Sequence, residues 1–306
     1  MTLPRIQGIH HVTALAGDPQ RNVDFYTEVM GQRLVKVTVN FDDPTAYHLY
    51  FGDSMGTPGT LLTFFPQLKK RGQSGRGEVA SVAYKTPEGV EFWKDRLSTL
   101  GVAYRQIEDK PLLNIRDPDG LSIDLHCTDQ PHGNGVAGLS GVTLWIAQVP
   151  HINGFLEFMG FVHVDAVSDS KSTRHRYVLG HSISSIEVIE GHHPSSVPGA
   201  GRVHHLSFGV QSEGELEAYR EALLLKGYRV TSVRNRKYFK SIYFRHSSGI
   251  LFELATCEPG FTVDEPQEEL GKNVCWPDFV DESARNKVQL PPLVNREYGN
   301  DVRERI

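Results

Sequence analysis

The stretch Gly201-Arg202-Val203-His204-His205-Leu206-Ser207-Phe208-Gly209-Val210 decides how the chain is read. It is a short strand-like run with two adjacent histidines. An echo stands near the start, Gly8-Ile9-His10-His11-Val12-Thr13. A third piece, Gly249-Ile250-Leu251-Phe252-Glu253-Leu254, brings a carboxylate into an apolar run. Two histidines and one carboxylate on strands are the donor set of an open, redox-capable metal site. The expectation is that His11, His205 and Glu253 hold one divalent metal, Fe(II) first and Mn(II) second.

Working outward, the pattern strand, helix, three strands recurs. Gly8–Ala16 reads as a strand, and Asp18-Pro19 opens a helix carrying Val23, Phe25, Tyr26, Val29 and Met30 until Gly31. Arg33–Val39, Tyr47–Phe51 and Thr60–Phe65 follow as strands. The same order repeats from Glu78, from Leu139 and from Val203. The fourth round has a helix from Ser212 to Leu225, then strands Tyr228–Val233, Ser241–Arg245 and Ile250–Thr256. One such unit buries a single curved sheet face, and two can close into a cup. The expected architecture is α+β, four βαβββ modules at 1–68, 78–128, 138–190 and 201–257 forming two paired-module barrels. Residues 258–306, polar and rich in proline, read as an irregular extension with short helical pieces at most. The linker Lys69-Lys70-Arg71-Gly72-Gln73-Ser74-Gly75-Arg76-Gly77 lacks interleaved aromatics and reads as a solvated loop.

Pairing can be argued from the histidines alone. The opening strands of the second and third modules carry none, so a site using both His-His pairs joins module one to module four. Side-chain alternation sends the neighbours of each pair to opposite faces. One histidine can then ligate while the other bonds around the site. An unpaired, buried Glu253 would cost several kcal/mol, which a metal removes; Arg245 is the rival partner. Asp124 and Glu187 hold the equivalent places in modules two and three and read as structural, having no histidine beside them. His48 fits pocket lining and plain packing equally well. His132, His192 and His193, near Gly and Pro, read as loop residues.

Composition narrows the class. With 306 residues, 39% hydrophobic and 23% charged, this is an ordinary globular chain long enough for a sizeable core. A net charge of −5 disfavours nucleic acid as a partner. Three cysteines without metal spacing suit a reducing compartment. No apolar run approaches the roughly 18 residues of a membrane span, and the N-terminus has no apolar signal core. The cytoplasm is the expected location; self-association stays open.

The array resembles the vicinal oxygen chelate superfamily of glyoxalases, bleomycin-resistance proteins and extradiol dioxygenases. Within it the chain is similar to the hydroquinone ring-cleaving dioxygenases of the dichlorohydroquinone 1,2-dioxygenase type. The likeness rests on Ile9-His10-His11-Val12-Thr13, Val29-Met30-Gly31-Gln32-Arg33, Tyr47-His48-Leu49-Tyr50-Phe51, Gly56-Thr57-Pro58-Gly59-Thr60 and Gly249-Ile250-Leu251-Phe252-Glu253. It extends to Gly260-Phe261-Thr262 and the acidic pair Asp264-Glu265. This resemblance implies an Fe(II) triad of His11, His205 and Glu253, surrounded by His10, Thr13, His204, Arg236 and Tyr243. It implies a small aromatic substrate and O2, with His204 or Tyr243 as the acid/base group and Arg236 steadying negative charge. Phe64, Trp145, Phe208 and Phe252 are the rings available to line a pocket. Two other readings remain: a glyoxalase-type lyase or isomerase, and a module that binds an aromatic without turnover. The lyase normally needs a second acidic ligand, and Gly59-Thr60-Leu61-Leu62-Thr63-Phe64-Phe65 supplies none.

Overall fold

The computed structural model describes residues 3–107, 110–128, 136–170, 172–180, 182 and 184–295. Its elements fall into four similar rounds. The first is β1 (Ile9–Leu15), α1 (Pro19–Asp24), β2 (Arg33–Asn40), β3 (Asp43–Gly52) and β4 (Leu61–Phe65). The second is β5 (Glu78–Thr86), α2 (Val90–Thr99), β6 (Tyr104–Gln106), β7 (Leu112–Arg116) and β8 (Ser122–Cys127). The third is β9 (Gly138–Ile146), α3 (Pro150–Phe158), β10 (Val162–Ser168), β11 (Thr173–Val178) and β12 (Ser185–Glu190). The fourth is β13 (Val203–Val210), α4 (Glu213–Leu225), β14 (Arg234–Asn235), β15 (Lys240–Arg245) and β16 (Leu251–Thr256). After it come β17 (Val274–Cys275) and α5 (Glu282–Arg285).

Two sheets result. The larger runs β14-β15-β16-β13-β1-β4-β3-β2-β17, and the smaller β10-β11-β12-β9-β5-β8-β7-β6. β1 pairs antiparallel with β13, and β5 with β9, so the first round meets the fourth and the second meets the third. The larger sheet curls until its distant strands approach. Arg236, beyond β14, reaches Asp42 in the β2–β3 turn at 2.9 Å.

Alternation explains what faces where. Phe64, Phe208 and Phe252 lie on the outer face of the larger sheet, fully buried in the main core. Phe252 meets Phe155 of α3 at 4.6 Å, so the third helix backs the fourth round's strand. Each such buried ring contributes about 1.5–3 kcal/mol. None of these three rings can line a cup on the opposite face, and Trp145 belongs to the smaller sheet, stacked on His193.

The structure corrects four further expectations. Tyr228–Val233 is not a strand. Its hydrogen bonds go partly to side chains: Arg220 Nε donates to the Thr231 carbonyl and Thr231 Oγ1 accepts from the Tyr243 amide. The first helix does not stay α-helical; it widens into a π-helical turn, Phe25–Val29, which buries Phe25, Tyr26 and Val29 together. The linker at 69–77 is not simply a solvated loop. It runs against residues 195–200 through bridges Arg71↔Ala200, Gln73↔Val197 and Arg76↔Ser195. The extension after Thr256 is more than helical scraps, since β17 pairs with β2 as the edge of the larger sheet. His132 and residues 296–306 lie outside the described residues.

The extension also seals one end of the cup. Phe261 and Leu270 join Val35, Tyr50, Leu61, Tyr238, Phe239 and Ala255 in a second apolar cluster. Lys36, fully buried on β2, anchors it with Nζ 2.7 Å from Asp264 and 2.5 Å from Glu265. Asp264, Glu265 and Cys275 could by themselves look like a cation site, but Lys36 already supplies their positive charge. Removing one member of a buried pair strands the other. Lys36→Met should therefore cost about 3–5 kcal/mol in a chemical denaturation curve. A loss within about 0.5 kcal/mol, the size of an ordinary surface change, would mean the anchor is dispensable.

Candidate metal centre

β1, β13 and β16 lie side by side, and each delivers one donor to the concave face of the larger sheet. His11 Nε2 lies 3.2 Å from His205 Nε2 and 3.0 Å from Glu253 Oε2, and His205 Nε2 lies 2.9 Å from that same oxygen. All three residues are buried, Glu253 completely. Arg245 is not the partner of Glu253; it is exposed and its guanidinium donates to the Gly249 carbonyl.

The other histidines decide which ring nitrogens carry protons. The Thr256 carbonyl can only accept, so His10 Nε2, at 3.2 Å, donates to it. Burial, and then the neighbouring His11, push the pKa of His10 down to about 3, so the ring is neutral and its Nδ1 is an acceptor. His11 Nδ1, 2.8 Å away, must donate there. In the neutral ring His11 Nε2 is then the lone-pair nitrogen, and it faces Glu253. His204 Nδ1 stands 2.7 Å from His205 Nδ1 and can fix the second ligand ring in the same way.

This contact is not what alternation alone anticipates. Between β1 and β13 the register slips twice, first Ile9↔Phe208 to His11↔Ser207 and then Thr13↔His205 to Ala14↔Val203. His10 is the extra residue of the first slip and His204 of the second. A bulge bends its strand and re-aims the extra side chain, so the rings turn against their neighbours instead of pointing away.

The donor set fits a divalent cation. Burial pushes the Glu253 carboxyl toward protonation, but the charge and hydrogen bonds of His11 and His205, when protonated on Nε2, outweigh it and hold its pKa well below the usual carboxylate range; a cation takes over that role when the rings are neutral. Neither of its buried oxygens accepts a well-directed hydrogen bond. Two imidazole lone pairs and a carboxylate oxygen thus converge. Cis ligands held at about 2.1 Å from a metal stand about 3 Å apart.

The remaining expected residues gather around this triad. Tyr243 is the cross-strand partner of Glu253. Its oxygen accepts from Arg236 Nε at 3.2 Å, and the guanidinium carbon sits 5.2 Å from its ring centre. Burial, then Glu253, raise the Tyr243 pKa, so the phenol keeps its proton. Thr13 stands opposite His205, with Oγ1 2.7 Å from Thr63 Oγ1. His204 is exposed at the rim, edge-on to Phe65 at 5.5 Å.

Sequence reasoning left His48 open between pocket lining and packing, and passed over Thr63, Tyr50 and Phe239. Thr63 bonds His48 Nε2 at 2.9 Å, and Tyr50 Oη bonds His48 Nδ1 at 2.8 Å, making a buried chain Thr13–Thr63–His48–Tyr50 along the cup wall. Phe239 packs against His10 and His11 at 5.3 and 5.4 Å. The signal for His48 and Tyr50 was present: they alternate around Leu49 and so share a face. For Phe239, brought in by an irregular turn, the sequence carries no signal.

Register shows why only one half has this set. Ser207 pairs with Glu253 as Thr143 pairs with Glu187, and His11 faces Ser207 as Ser81 faces Thr143. Ser81 therefore stands where His11 does, and Gly141 where His205 does. A Cβ at Gly141 would meet the Ser185 carbonyl oxygen at 2.5 Å, so no histidine fits. Asp124 is held by Ser81 and Asn114, and Glu187 is paired with Arg174.

Known proteins resemble this chain over most of its length. Residues 8–125 match the model of the Glyoxalase/Bleomycin resistance protein/Dioxygenase superfamily. A Bacillus subtilis protein named as a ring-cleaving dioxygenase, MhqO, is 38% identical over 289 residues, spanning 89% of this chain and 92% of its own. The chain belongs to this superfamily. A chlorohydroquinone/hydroquinone 1,2-dioxygenase of Sphingobium indicum is 33% identical over 298 residues, covering 90% of this chain and 92% of its own. A crystal structure described as a Bacillus subtilis dioxygenase superposes with a TM-score of 0.87 at 36% identity, covering 96% of this chain and 99% of that one. The chain is an enzyme of the ring-cleaving dioxygenase class, an oxidoreductase.

His10→Ala removes the acceptor that fixes the His11 ring. It should weaken divalent-metal binding about 10–100-fold in a competition titration with a chelating dye. Affinity equal to wild type would show that His11 is oriented by something else.

Proposed function

We propose that the chain is an Fe(II)-dependent dioxygenase that opens the ring of a hydroquinone-type aromatic with O2, Mn(II) being the alternative metal. The carrying observation is Thr63. Counted by register, Thr13↔Thr63 in the first round answers to Ser207↔Glu253 in the fourth. The place where a second acidic ligand would sit thus holds a hydroxyl, already bonded to Thr13 and His48. Three protein donors leave coordination positions for guests, which favours oxygen chemistry over the four-ligand lyase arrangement.

On this reading His11, His205 and Glu253 hold the iron. Bound there, Fe(II) supplies Lewis acidity, one-electron redox chemistry and open positions for small guests. The chain's own groups do the rest. Tyr243, protonated because it is buried beside an anion, donates its O–H to a substrate oxygen. Arg236, tied to Asp42 and Tyr243, offsets negative charge on a deprotonated phenol. His204, at the rim, has its pKa lowered to about 3 by partial burial and then by His205, so it stands neutral and can accept a hydrogen bond from the substrate. The Thr13–Thr63–His48–Tyr50 wall gives the ring a fixed polar side to lie against.

A cytoplasmic setting accords with the cysteines, none of which forms a disulfide. Among the described residues no helix is long and apolar enough to cross a membrane.

Protein purified without oxygen should carry one iron, lost in His11→Ala, His205→Ala and Glu253→Ala. It should then consume O2 with hydroquinone faster than with catechol, and leave a methylglyoxal–thiol adduct unchanged. Turnover of the adduct without O2 uptake would overturn the reading.

A further inference from the structure

A second feature lies beside the metal cup. Where strand ends of the two sheets meet, a cavity of about 700 Å³ opens to solvent, and His204 and His205 are part of its wall. Its other charged wall residues are Arg76, Glu78, Arg202 and Arg245. Glu78 takes Arg202 at 3.3 Å, Ser74 Oγ at 2.5 Å and the Gly75 amide at 2.9 Å, all on Oε1, while its Oε2 is buried without a hydrogen-bond partner. Arg202 and Glu78 therefore cancel. Arg76 and Arg245 do not. Arg76 Nε donates to Ser195 Oγ and Arg245 to the Gly249 carbonyl, both neutral acceptors. In a chain of net charge −5 the cavity beside the metal cup is thus positive by two arginines.

The reaction proposed above creates a ligand for such a place, and the inference rests on that reading only for the origin of the ligand. Opening a hydroquinone ring between a hydroxyl-bearing carbon and its neighbour keeps both atoms of O2. One carbon becomes a carboxylic acid and the other an aldehyde. With an ordinary carboxyl pKa near ~4, the acid is ionised at neutral pH. A substrate that arrives neutral leaves as an anion, and because a divalent metal outweighs the single charge of Glu253, its release needs a competing positive surface. The adjoining surface that attracts it is the arginine-lined cavity.

We propose that this cavity is a carboxylate-binding vestibule that receives the ring-opened product, with Arg245 and Arg76 as its binding groups. Charge draws the product off the metal and commits it toward solvent, while a neutral hydroquinone gains nothing from the same two residues.

The test uses cis,cis-muconate, a stable dicarboxylate with no ring to open, titrated calorimetrically into the metal-loaded full chain. Muconate should bind, and bind more weakly as salt rises. Arg245→Met and Arg76→Met should each weaken it about tenfold, the worth of one charge-assisted hydrogen bond. Arg245→Lys should keep most of the affinity. Hydroquinone affinity, measured without oxygen, should not change in any of the three. Both side chains are exposed, so the variants keep the fold. Absence of muconate binding overturns the proposal. So does binding that both methionine variants leave intact, because the carboxylate then sits on the metal. If muconate binding depends on the arginines while hydroquinone is never consumed, the carboxylate site stands and the proposed reaction falls.

Discussion

A buried carboxylate facing two imidazole lone pairs is the constraint around which this molecule is arranged. Left alone, Glu253 would be a costly, unsatisfied anion, and its neighbours would gain nothing by approaching it. Several features hold the three atoms together regardless. His10 ties β1 to the Thr256 carbonyl at the end of β16, so the strand bearing the first ligand is bonded to the strand bearing the third. Phe239 packs on the rings of His10 and His11. Beyond it, Lys36 fastens the extension over the open end. The site is pre-arranged, and the stability spent on arranging it comes from packing elsewhere.

Much of that packing belongs to the half that carries no donors. The smaller sheet repeats the larger sheet's register closely enough to align Ser81 with His11 and Gly141 with His205. It has nevertheless become a support. Its helix α3 closes the back of β16 through Phe155 and Phe252. Asp117 accepts the Tyr26 hydroxyl at 3.1 Å, joining the second round to the first. One half keeps polar groups converging in a closed cup. The other holds Asp124 with Ser81 and Asn114, pairs Glu187 with Arg174, and leaves β10 wholly exposed.

The repeat and the pairing of its ends could be read from residues, because two His-His strands have a use for one another only if they meet. The triad was legible for the same reason. What could not be read lies where the chain departs from regular geometry. The bulges at His10 and His204 depend on pairing with a strand nearly two hundred residues away, and alternation gives the opposite expectation for their rings. Phe239 and the lost strand at Tyr228–Val233 depend on turn residues and on side chains that intercept backbone hydrogen bonds. β17 is two residues long, too short for any period to show. The pocket rings were misjudged by one place: Phe64 and Phe252 directly adjoin Thr63 and Glu253, and a step of one reverses the face.

The closure of the larger sheet through β1 and β13 carries a consequence for biosynthesis. His11 and His205 are 194 positions apart. On the ribosome, β1 emerges long before its partner and waits with an unpaired edge while the middle of the chain emerges and folds. The three donors cannot converge until Glu253 has cleared the exit tunnel, and the cup is not sealed until Lys36 meets Asp264 and Glu265. The complete donor set is thereby reserved for chains whose fourth round has been made, so a product cut short before it presents at most one or two of the three side chains.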